Sequence, residues 1–194
     1  FGTENGISIY NGRKFISILK SDGLAGDKIT CFHKNRQGKI WAGTDGGFSS
    51  VLIDAQVFDK PGNDETKNIS VSSYSSKDGL SDNTVNSITE DGKGNLWICT
   101  DNGIANFDGE TIINFTVRDG ISSNLVNSLI LENDNYLWLG TNKGIDRFDL
   151  AGYYSKSTGE KAYLKNLINH YGREEGFTGV ECNRDAICKD KTGN

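Results

Sequence analysis

One proline, four cysteines and two histidines occur in 194 residues, and methionine is absent. No apolar run approaches the roughly 20 residues that a membrane helix requires, and the first residues lack the layout of a signal peptide. No 3.6-residue period recurs, so no amphipathic helix is expected. Basic residues are scattered and outnumbered, 21 Lys and Arg against 26 Asp and Glu, for a formal net charge of −5. Nucleic acid therefore finds no electrostatic footprint. Cys31, Cys99, Cys182 and Cys188 form no Cys-x-x-Cys pair and have no histidine at metal spacing. No loop gathers the dense oxygens of a calcium site. His33 and His170 lack a recurring Ser or Cys partner and read as structural. No cofactor, metal or catalytic residue is expected.

What is abundant is glycine, 24 residues, and it recurs on schedule. Gly-Thr-Glu-Asn-Gly starts at Gly2, Gly-Thr-Asp-Gly-Gly at Gly43, Cys-Thr-Asp-Asn-Gly at Cys99 and Gly-Thr-Asn-Lys-Gly at Gly140, in steps of 41, 56 and 41. A second phrase, Asp22-Gly23-Leu24, Asp78-Gly79-Leu80, Asp119-Gly120-Ile121 and Glu175-Gly176-Phe177, keeps the same rhythm in steps of 56, 41 and 56. Two unlinked motifs on one period mean duplicated structural units.

The unit from Val85 to about Phe115 is the clearest. Val85 to Glu90 reads as a strand, and Asp91-Gly92-Lys93-Gly94-Asn95 as a turn of residues that tolerate positive φ. Leu96 to Thr100 is apolar enough to be buried on both faces. Asp101-Asn102-Gly103 is a hairpin turn, Ile104 to Phe107 a third strand, Asp108-Gly109-Glu110 a turn and Thr111 to Thr116 a fourth strand. Four short antiparallel strands in about 41 residues are the mark of a propeller blade. The same template places strands at Ile29 to Lys34, Lys39 to Gly43, Val126 to Leu131 and Tyr136 to Gly140.

The expected fold is all-β: a β-propeller fragment of about four blades, each a four-stranded antiparallel sheet, over 1–194. Blade repeats start near 2, 43, 99 and 140, and both chain ends fall inside a blade. The chain is expected to be cut from a longer one or completed by a partner copy; closure into a four-bladed ring is geometrically allowed. Trp41, Trp97 and Trp138 share one register and are read as packing blade on blade, with Gly47, Gly103 and Gly144 as structural repeat glycines. Two inserts, near Ile53 to Lys67 and Leu150 to Lys165, are read as extended hairpins or surface loops on the face opposite the Asp-Gly-Leu loops. Cys99 takes the slot of Gly43 and Gly140, and a Cys182–Cys188 bridge stays open.

The run from Asp78-Gly79-Leu80 through Val85-Asn86-Ser87-Ile88-Thr89-Glu90-Asp91 and Gly94-Asn95-Leu96-Trp97-Ile98-Cys99-Thr100-Asp101-Asn102-Gly103-Ile104 resembles the two-component regulator propeller repeat. The resemblance covers essentially the whole chain; the unit at Glu175 to Asn183 is two residues longer before its turn. Tryptophan-aspartate, kelch and quinoprotein repeats fit worse, for want of their diagnostic phrases.

The resemblance implies the ligand-sensing extracytoplasmic part of a hybrid two-component sensor histidine kinase, periplasmic within an inner-membrane protein. It implies an oligosaccharide ligand, a homo-oligomeric, membrane-anchored parent and control of transcription by phosphorelay. The chain itself is then no enzyme and binds no nucleic acid. A protein-binding scaffold propeller and a lyase- or hydrolase-type propeller remain as alternatives. Ligand candidates are Lys28, Asn83, Asn86, Asn124, Asn127, Asn183 and Arg184, donors on the loops where propellers usually bind and suited to sugar hydroxyls. Asn86 and Asn127, equivalent by register, alternatively cap blade tops. The periodic Asp and Glu read as turn stabilisers rather than acid pairs.

Overall fold

Each sheet is offset from the repeat starts near 43, 99 and 140, which fall at the end of a second strand. The computed structural model describes residues 1–58, 69–155, 161–179, 181–184 and 187–188. The first sheet has three strands, β1 (Gly2–Thr3), β2 (Gly6–Tyr10) and β3 (Phe15–Ile18). The second holds β4 (Ile29–Lys34), β5 (Ile40–Thr44), β6 (Gly47–Ile53) and β7 (Ile69–Tyr74). The third holds β8 (Val85–Glu90), β9 (Leu96–Thr100), β10 (Gly103–Phe107) and β11 (Ile112–Phe115). The fourth holds β12 (Val126–Glu132), β13 (Tyr136–Thr141), β14 (Gly144–Asp149) and β15 (Ile168–Tyr171). Neighbouring strands within a sheet are sequential and antiparallel. The described residues form a β-propeller segment of four sheets, three with the expected four strands and the first with three.

The core lies between sheets, because a central strand with two apolar faces must bury both. β9 and β10 are buried at every residue. Trp41 of the second sheet meets Phe107 of the third edge-on at 6.0 Å, and Trp97 of the third meets Phe148 of the fourth edge-on at 5.6 Å. These aromatics anchor two inter-sheet clusters, and a third, built on Ile7, Ile18, Leu24, Ala42 and Val51, joins the first sheet to the second.

The recurrent turn phrases work through side chains. Thr44, Thr100 and Thr141 each donate to the carbonyl of the glycine three residues on and accept the N–H two residues on. Gly103, at the far end of this hairpin, has φ +102°, and a Cβ there would collide with the Phe115 carbonyl oxygen. Left-handed φ and the close approach both exclude a side chain. Gly103→Ala is expected to lower stability by roughly 2–4 kcal/mol, read as a drop in urea midpoint at unchanged m. An unchanged midpoint would show that the β11 edge yields freely.

In the acid-Gly-Leu phrases the carboxylate caps its own turn. Asp22, Asp78, Asp119 and Glu175 accept the backbone N–H three residues before them, from Leu19, Ser75, Thr116 and Gly172. Leu24, Leu80 and Ile121 plug the core.

The second insert departs from expectation. It contains a helix, α1 (Leu150–Ser155), and a 3-10 turn at Lys161–Asn166 rather than a plain loop or hairpin. Six residues are too few to show a helical period in sequence, yet Leu150 is fully buried and Tyr153 packs on Trp97, Phe115 and Phe148. Among the described residues of this insert, Leu150 and Leu164 are therefore part of the core. In the first insert, a 3-10 turn at Ala55–Phe58 buries Val57; Pro61 and the rest of that segment lie outside the described residues. Cys182 and Cys188 are free thiols, not a bridge.

Candidate functional site

The acid-Gly-Leu loops and the Thr-bridged hairpins emerge on one face, and the innermost strands β4, β8 and β12 begin there. Each of those strands carries a β-bulge at its second residue, between Ile29 and Cys31, Val85 and Ser87, and Val126 and Ser128. A bulge re-aims its extra side chain. Here the extra residues are Thr30, Asn86 and Asn127, and all three reach across to the next unit. Thr30 Oγ1 donates to the Val85 carbonyl at 2.5 Å, Asn86 Nδ2 to that of Val126 at 2.9 Å and Asn127 Nδ2 to that of Cys182 at 2.7 Å. Cys182 packs on Gly140 as Val85 packs on Gly43, and its N–H donates to the Thr141 carbonyl.

Asn86 is buried and also donates to Asp101 Oδ1 at 2.9 Å, while its own Oδ1 is buried without a partner. Arg184 approaches the same Asp101 oxygen at 3.9 Å. Asn86, Asp101 and Arg184 therefore form one polar cluster, and the Asn127–Cys182 link is the equivalent contact one unit on. Asp101 is the member that sequence reading passed over, as one more turn residue; its place beside Thr100, on the loop face, was the available signal.

The remaining candidates are separate. Asn83 Oδ1 accepts the Ser76 N–H at 2.8 Å. Asn124 Oδ1 accepts the Val117 N–H, and its Nδ2 donates to Asn102 Oδ1, both at 2.9 Å. These equivalent bonds brace equivalent loops. Lys28 Nζ pairs with Glu4 at 2.9 Å with both side chains largely in solvent, where such a pair contributes little. Asn183, next to Cys182 as Asn127 is next to Val126, is exposed.

One further family of contacts has no constant residue type. The N–H after each buried Leu or Ile needs an acceptor, and Ser49, Asn114 and Asp146 supply it for Ala25, Ser81 and Ser122. Asp146 is fully buried and pairs with His170 Nδ1 at 2.8 Å. Burial raises the thiols of Cys99 and Cys182 above the usual cysteine range, so both stay protonated and poorly nucleophilic. Among the described residues no group of three or more His, Cys, Asp or Glu side chains converges to hold a metal. On the rim of the third and fourth sheets the amide donors of Asn86 and Asn127 are engaged within the fold, and the charged groups are Asp101 and Arg184.

The family model of the two-component regulator propeller matches residues 23–46, 79–102 and 120–143. No curated protein matches the chain. Among solved structures, the extracellular domain of a hybrid two-component system from B. thetaiotaomicron is similar with TM-score 0.73 and 17% identity, over 99% of this chain and 24% of that one. A second such domain from the same organism gives TM-score 0.52 and 20% identity, over 100% of this chain and 32% of that one. PorZ, a surface component of the type-IX secretion system of Porphyromonas gingivalis, gives TM-score 0.58 and 14% identity, over 93% and 26%. The chain thus spans about a quarter to a third of these structures' lengths. Among the described residues no helix is long and apolar enough to cross a membrane.

Proposed function

Because the repeats of this chain belong to the two-component regulator propeller family, we propose that it is part of the extracytoplasmic ligand-sensing region of a hybrid two-component sensor. The observation that carries this is three family repeats in a chain whose fold follows such an extracellular domain over 99% of its length. On this reading the chain is not catalytic. The periplasmic sensor region is anchored in the inner membrane by the parent protein, whose histidine kinase controls transcription by phosphorelay, and the parent works as a homo-oligomer. The ligand is an oligosaccharide, whose hydroxyls the Asp101–Arg184 rim is chemically able to read.

The test is thermal unfolding of the parent sensor region against a panel of oligosaccharides. A ligand at 100 times its Kd adds about 2.7 kcal/mol, read as a saturable rise in melting temperature. A flat response across the whole panel would favour a scaffold propeller that binds protein. One feature already leans that way: the amides of Asn86, Asn124 and Asn127 are spent inside the fold.

A further inference from the structure

The seam between the second and third sheets contains two buried polar atoms without a hydrogen-bond partner, His33 Nε2 and Trp41 Nε1. His33 and Trp41 are cross-strand partners on β4 and β5, so their side chains share one face of the sheet. That face is the one packed on Phe107 of the third sheet. In the sister sheets the indole N–H is taken by an acid six residues earlier, Asp91 for Trp97 and Glu132 for Trp138. Before Trp41 that place is held by Asn35, whose Oδ1 accepts the Lys39 N–H instead.

The buried acid of this seam comes from the other side. Glu90, at the end of β8, is 7% exposed and accepts the Arg36 backbone N–H at 2.9 Å. The Arg36 guanidinium continues to the Gly92 carbonyl and to Asp134, so one residue ties the inner hairpins of three consecutive sheets. Gly92 allows the approach, since a Cβ there would lie 2.9 Å from Asp134 Cγ.

We propose that His33 is an acid-sensitive joint between the second and third sheets, accommodated as a neutral imidazole and rejected as an imidazolium, so that acidification loosens this seam and the Arg36 tie. The physical reason is the closed Nε2. An imidazolium donates from both ring nitrogens, and here one of them would be a charged donor sealed from water with no acceptor. The charged groups around the seam are Glu90 from β8, Arg36 and Lys39 from the hairpin after β4, Lys34 on β4 itself and Asp134 from the fourth sheet's hairpin. Lys39 Nζ sits 4.7 Å over the Trp41 ring, which adds positive charge on that side. The carboxylate that acts on His33 electrostatically is Glu90, whose Oε2 accepts the Arg36 N–H, so the charge state of His33 and the Arg36 tie meet at one side chain.

Burial, the larger influence, lowers the His33 pKa, and Glu90 opposes it. With the folded value depressed, the unfolded chain takes up the proton first. The contribution of neutral His33 is therefore complete above about pH 6.5 and is lost as pH falls through the folded value. This inference does not depend on the sensor reading, and its failure would leave that reading intact.

The experiment compares melting temperatures of the wild-type chain, His33→Gln and Glu90→Gln from pH 8 to pH 5 at fixed ionic strength. The wild-type chain is expected to lose several degrees more than His33→Gln across that range. Glu90→Gln keeps an oxygen for the Arg36 N–H but loses the opposing charge, and should steepen the acid loss. Parallel curves for wild type and His33→Gln overturn the proposal. Should His33→Gln fail to fold, hydrogen exchange at the Arg36 amide of the wild-type chain decides. Protection that falls with acidification relative to amides of β10 supports the joint, and protection unchanged down to pH 5 overturns it.

Discussion

Replacing Trp97 by alanine is expected to lower the stability of the chain by about 3–5 kcal/mol, the range for large aromatics removed from a core. Trp97 has no exposed surface and contacts Phe115, Phe148 and Tyr153 at ring separations of 5.6, 5.6 and 5.9 Å. These rings come from β11, β14 and α1, so the cavity would open where the third sheet, the fourth sheet and the insert meet. Its indole N–H also donates to Asp91 Oδ2 at 2.9 Å. The matched change at Trp138 should do less, because that ring is only partly buried. Trp41→Ala should fall between them, since its N–H has no partner to lose. A drop in melting temperature of roughly 6–20 °C for Trp97→Ala is the expected reading. Equal drops at Trp97 and Trp138 would show that the seam between the third and fourth sheets is no tighter than the face beyond the fourth.

The second large effect is at Asp91, a buried carboxylate that accepts four hydrogen bonds. Its Oδ1 takes the Lys93 and Asn95 N–H groups at 2.9 and 3.0 Å, and its Oδ2 takes the Trp97 indole and the Tyr154 hydroxyl. Four bonds to one carboxylate offset its burial; removing the carboxylate strands the donors. Asp91→Ala is expected to lower stability by about 3–5 kcal/mol, as for one partner removed from a buried charged network. The double variant with Trp97→Ala should fall short of the sum of the two, because both delete the same bond. Strict additivity in urea unfolding would show that the indole–carboxylate bond contributes nothing.

Tyr154 gives this network a pH signature. Burial first, then the Asp91 hydrogen bond, push its phenol well above the usual tyrosine range, with the Asn95 amide opposing. A raised folded pKa means that its contribution is present below about pH 10 and is lost as pH rises through the folded value. Tyr154→Phe should remove that alkaline loss while leaving Asp91 three donors, so its own effect at neutral pH is the smaller one.

The repeated elements were legible in sequence to within a residue or two. Val85–Glu90, Ile29–Lys34 and Leu96–Thr100 are the strands that alternation and turn phrases predict, because those signals are local. The acid of each Asp-Gly-Leu phrase caps its own turn for the same reason: donor and acceptor lie three residues apart. The polar rim was only half legible. Periodicity marks Asn86 and Asn127 as equivalent, but their commitment to the carbonyls of Val126 and Cys182, 40 and 55 residues away, depends on the bulge that turns them outward.

The unit, its strands and the turns that join them follow from the order of residues along the chain, because each rests on contacts within a few residues that recur with the period. The places of the non-repeating parts follow from how the sheets pack. Leu150 and Tyr153 enter the core, and Tyr154 reaches Asp91 across 63 residues. Arg36 ties three hairpins, and His33 Nε2 is buried without a hydrogen-bond partner. Each of these depends on the approach of neighbouring sheets, a distance that no period along the chain encodes.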